Sequence, residues 1–385
     1  MIRLIPPVAV PFGPQAIAAS LVGSTATDAE SFSSQLAVRF HAARVLLAGS
    51  GRAALAATLS AVRRAERNEV LVPAYTCWSV PAAAVRAGYR VRLYDIDPST
   101  FLPAGDLGGE AGTDTTAIVL ADLLSGASGF ESAARAVAAR LPECLLVEDR
   151  AQSWPSRASQ SGVTLLSFGR GKPLPLGHGG AILTQKERLP LEMPATRGGG
   201  GGDAAALAVA ATFGHPLLFR FPAAIPALGI GATVYDPSFD AERPFHRWQE
   251  RLGVRLIPKM DELQRRRARH AARLAEVVRR AKGWTVGPLT GGPLRLPVYA
   301  PDRAARDGAV TLLRKRGVSA SALYPGTLLD IPALRPHLSD ASVHIAGARE
   351  IADRLLALPV YPTLVDTDID RIGAAFAAAV ARLSP

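Results

Sequence analysis

Short apolar runs recur through the first half of the chain and alternate with stretches of helical period. The runs are EVLVP at 69–73, RVRLYD at 90–95, TAIVL at 116–120, CLLVE at 144–148, VTLLS at 163–167 and GAILT at 180–184. Most are continuously apolar, as expected of strands covered on both faces. Between them, residues 53–67 place Leu55, Leu59 and Val62 on one stripe with arginines opposite, and residues 131–140 form a second helical segment. Strand and helix in alternation predict a mostly parallel α/β sheet.

The pattern changes beyond about residue 236. A long basic helix is predicted over 261–282, a strand over 294–299, a helix over 303–316 ended by Gly317, and a short extended run over 318–323. Helices follow over 345–356 and 366–383, the last with Asp366 or Thr367 as its N-cap. The expected division is a large α/β domain over 1–235 and a smaller C-terminal α+β domain over 236–385. Five glycines at 198–202 read as a flexible loop or hinge. The strongly apolar stretch 204–235 is broken by His215, Pro216, Arg220, Pro222 and Pro226. A spanning helix needs about 20 apolar residues in a row. The stretch is therefore expected to pack on the protein itself, partly at a two-fold interface, with membrane-surface contact as the alternative.

Composition narrows the class. The 385 residues are 48% hydrophobic and 20% charged, enough to build large cores. The net charge of +11 comes from arginine far more than from lysine: there are only five lysines. The arginines are dispersed and not interleaved with aromatics, so a solvated basic surface is favoured over a nucleic-acid face. Cys77 and Cys144 cannot make a disulfide framework or a zinc cluster by themselves, and a reducing, cytoplasmic setting is expected. Pro6, Pro7 and Pro11 interrupt any leader-like apolar core, so no signal peptide is expected. No metal site is expected.

Three segments fall where open α/β sheets place their ligands, at the C-terminal ends of strands. Gly49-Ser50-Gly51-Arg52-Ala53 precedes a helix, whose first-turn N–H groups bind anions. Asp149 and Gln152 follow the strand at 144–148. Lys172 lies between two glycine-rich turns, after Ser167-Phe168-Gly169-Arg170-Gly171 and before Gly177-His178-Gly179-Gly180. The other four lysines lie on or beside helices among charged neighbours. An anion cradle, a strand-end carboxylate and a flanked lysine are what pyridoxal 5'-phosphate (PLP) needs: a phosphate seat, a partner for the ring nitrogen, and an amine to join its aldehyde.

Across nearly the whole chain, these ordered motifs resemble the DegT/StrS sugar aminotransferases, PLP enzymes of fold type I. GSGRAAL resembles the family's phosphate loop, with Arg52 where the family usually has threonine. VPAYTC and RVRLYDIDPSTF resemble its second block, VEDRAQ its acidic block and SFGRGKPLPLGHGGAIL its lysine block. SALYPGTL and LALPVYPTL resemble late segments. The resemblance implies that Lys172 carries the cofactor, Asp149 pairs with its ring nitrogen, and Gln152 approaches its 3'-oxygen. Ser167, with Gly51, Arg52 and Ala53, would hold the phosphate. Trp78 or Tyr75 would stack on the ring in place of the usual aromatic, because Cys77 follows Thr76. His178 and Tyr324 are candidate substrate contacts. Asp122-Leu123-Leu124-Ser125 departs from the family's His-Leu-aromatic-Gly, and its Asn-Tyr-Arg segment is not recognisable between Tyr235 and Trp248.

The expected activity is transfer of an amino group from an amino acid, glutamate by resemblance, to a keto sugar carried on a nucleotide, in a homodimer. A related group that dehydrates sugars has histidine in place of the lysine, and Lys172 argues against that outcome. The alternatives are a non-sugar keto or aminocyclitol acceptor, or a PLP-binding protein without turnover.

Overall fold

A computed structural model describes residues 3–22, 31–125, 128–186, 189–223 and 234–383. Seven strands form the main sheet: β1 (Arg44–Ala48), β2 (Glu69–Pro73), β3 (Arg90–Tyr94), β4 (Thr115–Ala121), β5 (Leu145–Asp149), β6 (Val163–Ser167) and β7 (Gly180–Thr184). Their order is β1-β7-β6-β5-β4-β2-β3. The pairs β2–β3, β2–β4, β4–β5 and β5–β6 are parallel. Only β7 is reversed, antiparallel to both β6 and β1. Residues of β2, β4, β5, β6 and β7 are almost all buried, which explains the unbroken apolar runs.

β1 is absent from the pattern of predicted strands, although its sequence RVLLA is apolar. A single edge strand that leads directly into a helix has no flanking strand–helix rhythm to expose it. The glycine run also differs from a plain loop. Gly199 and Gly200 take positive φ (84° and 75°), but Gly201 and Gly202 already open the helix Gly201–Phe213. That helix buries Ala204 and Leu207, so the front of the apolar stretch packs on the protein, while Val209, Phe221 and Val234 are more than half exposed. The rest of the stretch, 224–233, lies outside the described residues.

The second sheet is antiparallel, in the order β10-β9-β8, with β8 (Thr285–Val286), β9 (Arg295–Tyr299) and β10 (Leu355–Pro359). β10 corrects the expected helix over 345–356: that helix ends at Arg354, and Leu355 and Leu356 turn into the sheet as fully buried residues. The predicted extended run 318–323 makes only isolated bridges, from Val318 to Ile5 and from Ser321 to Ala357. The helices Met260–Arg279 and Asp366–Leu383 cover this sheet, burying Leu274, Val278, Ile372 and Phe376 in one cluster with Leu296 and Leu358. The sequence places the unit boundary near residue 236. Residues 239–260 still pack on the large sheet: Phe245, Trp248, Leu252 and Met260 share a cluster with Phe32, Leu166 and Phe168. Among the described residues no helix is long and apolar enough to cross a membrane.

Candidate active site

Strand register brings the three motifs together. Gly180 at the start of β7 pairs with Ser167 at the end of β6 and with Ala48 at the end of β1. The chain leaves β1 through Gly49 and Ser50 into the helix Gly51–Ser60, whose N-cap Ser50 accepts from Ala53 N at 3.0 Å. Two glycines make this meeting of backbones feasible. A Cβ on Gly51 would lie 3.1 Å from both Cβ and Oγ of Ser167. A Cβ on Gly180 would lie 2.8 Å from Leu166 O and 2.9 Å from the Gly51 backbone. On the other side of the reversed strand's neighbour β6, Ala121 and Asp149 end β4 and β5 in register.

These strand ends enclose a cavity of about 300 Å³. Its wall includes Ser50, Gly51, Arg52, Thr76, Cys77, Asp122, Asp149, Gln152, Ser167, Lys172, His178 and Arg243. The structure thus gathers Gly51, Arg52, Asp149, Gln152, Ser167, Lys172 and His178, all expected at the site, around one space.

Asp149 is half-buried, and its carboxylate accepts from Ala151 N at 2.9 Å. Burial raises its pKa above the usual carboxylate value; the Ala151 hydrogen bond and the charge of Lys172 oppose the shift, and Asp122 adds to it. Such a group is suited to a cationic partner inside the cavity. Lys172 donates its backbone N–H to Gly169 O at 3.0 Å, which closes the turn that presents its side chain to the cavity. Gln152 accepts from Leu124 N at 3.1 Å and donates to the Tyr324 hydroxyl at 2.5 Å. Leu124 holds a left-handed φ of 57°. Tyr324 is therefore behind the wall, holding Gln152; burial pushes its hydroxyl pKa well up.

Neither Trp78 nor Tyr75 is among the residues that line the cavity. Trp78 stands at the N-cap of the helix Ser79–Arg86 and packs against the main core. Tyr75 is buried, edge-on to Tyr324 with ring centroids 5.4 Å apart, and donates to Ala322 O at 3.2 Å. Thr76 and Cys77 face the cavity instead. Ala53 is the third residue of the helix, where its N–H serves the Ser50 cap. The Arg52 guanidinium lies over the Phe239 ring, 4.9 Å from its centroid, and 3.9 Å from Asp236.

Sequence reasoning passed over Asp122, Arg150 and Arg243. Arg150 is buried and bonds Asp122 at 2.9 Å, Glu131 at 3.2 Å and Glu148 at 3.3 Å, with its guanidinium 3.8 Å from the Phe130 centroid. The signal was available: both Asp122 and Arg150 sit within motifs at strand ends, where a charged pair makes each comprehensible. Arg243 bonds Asp203 at 2.5 Å. His178 spends both ring nitrogens on the protein, Nδ1 on Gly49 O at 3.0 Å and Nε2 on Asp203 at 3.1 Å. Burial lowers its pKa.

A large mostly parallel sheet with one reversed strand, a small antiparallel unit beside it, and a strand-end cavity walled by one lysine and two aspartates define an α/β transferase of the PLP type in architecture. The sequence matches the DegT/DnrJ/EryC1/StrS aminotransferase family over residues 15–214 and 248–377, and the chain belongs to that family. It is 30% identical over 131 residues to a UDP-N-acetyl-3-dehydro-alpha-D-glucosamine 3-aminotransferase of Acidithiobacillus ferrooxidans. That match spans 30% of this chain and about a third (34%) of the relative. Among solved structures, the sugar aminotransferase CalS13 of Micromonospora echinospora superposes with a TM-score of 0.71 at 22% identity, covering 98% of this chain and 100% of that one. The E coli GDP-4-keto-6-deoxy-D-mannose-3-dehydratase with bound hydrated PLP gives 0.73 at 15% identity, covering 98% and 100%. At these identities the likeness is one of fold.

Proposed function

We propose that the protein is a PLP-dependent aminotransferase that moves an amino group from glutamate to a keto sugar carried on a nucleotide. The observation that carries the reading is the convergence of Lys172, Asp149, Ser167 and the Gly51–Ser60 helix start on one cavity. The residues present fit the cofactor. Asp149 would face the ring nitrogen, and Ser167 with the Gly51 and Arg52 N–H groups would hold the phosphate, beside the added positive charge of Arg52. Bound there, PLP would supply an electron sink for the carbon that loses its proton.

The chain's own residues then have distinct tasks. Lys172 Nζ would take the proton from the donor's carbon and hold it for return, as general base and acid. Asp149 would favour a positive charge on a ring nitrogen held there, by charge attraction in a partly desolvated wall. Gln152, held at both ends by Leu124 and Tyr324, keeps its orientation at the cavity edge. Support for a sugar acceptor comes from family membership and from the name of the partial relative.

In the same reading the enzyme is a cytoplasmic homodimer. The half-exposed Val209, Phe221 and Val234 are apolar surface that a second copy would cover. The deciding experiment loads the protein with PLP, reduces it with borohydride and maps the labelled peptide. Label on Lys172 is expected, and label on Lys186 or Lys259 overturns the assignment. Adding glutamate should bleach the visible cofactor band and release 2-oxoglutarate; nucleotide-linked keto sugars should restore the band, and restoration only by non-sugar ketones overturns the acceptor class.

A further inference from the structure

Beside the cavity, among the described residues, His178, Asp203 and His246 bring one ligand atom each within 4.8 Å of one another. His178 Nε2 is 3.1 Å and His246 Nε2 is 3.4 Å from the same oxygen, Asp203 Oδ2. The three come from different segments: the glycine-rich turn before β7, the first turn of the helix Gly201–Phe213, and the residue preceding the helix Arg247–Leu256. We propose that these three side chains form a zinc-type divalent cation site, independent of the reading of the PLP cavity.

Hydrogen-bond parity is the first argument. Gly49 O can only accept, so His178 Nδ1, 3.0 Å away, carries a proton. In the neutral ring, His178 Nε2 then turns a lone pair toward Asp203 Oδ2, which also offers lone pairs. A cation between the two imidazoles and the carboxylate satisfies all three at once. A ring nitrogen fixed by a backbone carbonyl while the other binds metal is the usual outer support of such sites. The other carboxylate oxygen, Oδ1, is taken by Arg243 at 2.5 Å, which leaves Oδ2 as the ligand atom.

Rigidity is the second argument. Gln249 Nε2 donates to Leu176 O at 2.9 Å and to His178 O at 2.8 Å, tying the turn to the helix Arg247–Leu256. Arg197 N donates to Phe245 O and Arg247 N to Arg197 O, both at 2.9 Å, which pins His246. Gly200 has a positive φ, and a Cβ there would lie 2.6 Å from the His246 ring. The ring thus packs directly on the start of the helix that carries Asp203. Preorganised ligands of this kind need little ordering on binding.

Two imidazoles and one carboxylate suit Zn²⁺ and its neighbours, whereas Mg²⁺ and Ca²⁺ require more oxygen ligands. Three protein ligands leave a fourth position for water. The ion would brace the turns on which Gly49 and Gly179 sit, beside the cavity.

The test uses the full chain loaded with PLP. After chelator treatment and dialysis, Zn²⁺ is titrated and metal content is measured after gel filtration; Co²⁺ is used as a coloured substitute. One Zn²⁺ per chain is expected, with visible Co²⁺ ligand-field bands and no thiolate charge-transfer band. Asp203→Asn and His246→Gln should each weaken Zn²⁺ binding by about 100-fold or more, since disturbing even the outer support of a ligand costs about 10–100-fold. Failure to retain stoichiometric Zn²⁺ overturns the site and leaves an ion pair of Asp203 with Arg243 and His178. So does undiminished binding by both variants, or a thiolate band pointing to cysteine. If a variant does not fold, the wild-type metal content and Co²⁺ spectrum decide alone.

Discussion

Gln152 donates to the hydroxyl of Tyr324, 172 residues further along the chain, at 2.5 Å. Gln152 follows the large sheet's β5, while Tyr324 belongs to the C-terminal part of the chain. Tyr324 is itself fixed by Tyr75, whose hydroxyl accepts from Tyr324 N at 3.4 Å. Nearby, Leu328 N donates to Ala74 O at 2.8 Å. The two parts of the molecule therefore meet at the edge of the cavity through a short chain of polar contacts.

Tyr324→Phe leaves the Gln152 amide without its partner. Gln152 is half-buried at the cavity edge, where losing such a hydrogen bond costs about 0.5–1.5 kcal/mol. Urea denaturation should show a loss in that range, and kcat should fall more than the affinity for PLP, because Gln152 loses orientation rather than contact. Unchanged stability and unchanged kcat would remove the bridge from any role.

Asp149 carries a testable pH dependence. Its pKa is raised by burial in the protein without cofactor. A carboxyl whose folded pKa exceeds its unfolded value contributes stability that is present below the unfolded pKa and lost as pH rises through the folded pKa. Asp149→Asn should therefore be more stable than wild type at neutral pH when both lack PLP, and the difference should close in acid. With PLP bound, the same variant should transaminate about 100-fold more slowly or worse, since a partner charge that sustains the ring's electron-sink character is gone. Melting curves across pH, with and without PLP, check both halves.

Arg150 is enclosed by Asp122, Glu148, Glu131 and the Phe130 ring. Removing one partner of a buried ionic set leaves uncompensated charge and costs about 3–5 kcal/mol. Arg150→Met should unfold at clearly lower denaturant concentration. Arg150→Met combined with Asp122→Asn and Glu148→Gln should recover much of the loss, which chemical denaturation of both variants would reveal.

Gly51→Ala tests the close approach at the phosphate seat. The added methyl meets Ser167 at 3.1 Å, so either the helix start or the serine must shift by a few tenths of an ångström. The fold should survive, with PLP affinity reduced about tenfold, equivalent to about 1.4 kcal/mol. Equilibrium dialysis against PLP measures it directly.

Assembly is checked by light scattering without detergent. The expected mass is about twice 40.4 kDa. Substituting the exposed Val209 and Phe221 by serine should shift the balance toward monomer, and a monodisperse monomer for the unaltered chain would contradict the dimer.

Much of this protein was legible in the linear pattern. Strands buried on both faces read as unbroken apolar runs, so β2, β6 and β7 agree residue for residue with the pattern and β3, β4 and β5 differ by a residue at an end or both. Lys172, Asp149 and Ser167 stood out because each ends or follows a strand, and strand ends of such a sheet share one edge. What the line of residues does not contain is how distant segments face one another. Strand β10 looked helical because Leu355 and Leu356 continue an apolar stripe, and only pairing with β9 decides otherwise. Trp78 and Cys77 are neighbours in sequence and both pack against the main core, and the turn into the helix Ser79–Arg86 determines that the cysteine, not the tryptophan, also lines the cavity. Gln152 with Tyr324, Asp122 with Arg150, and the meeting of His178, Asp203 and His246 arise from contacts between segments that tertiary packing alone brings within bonding distance.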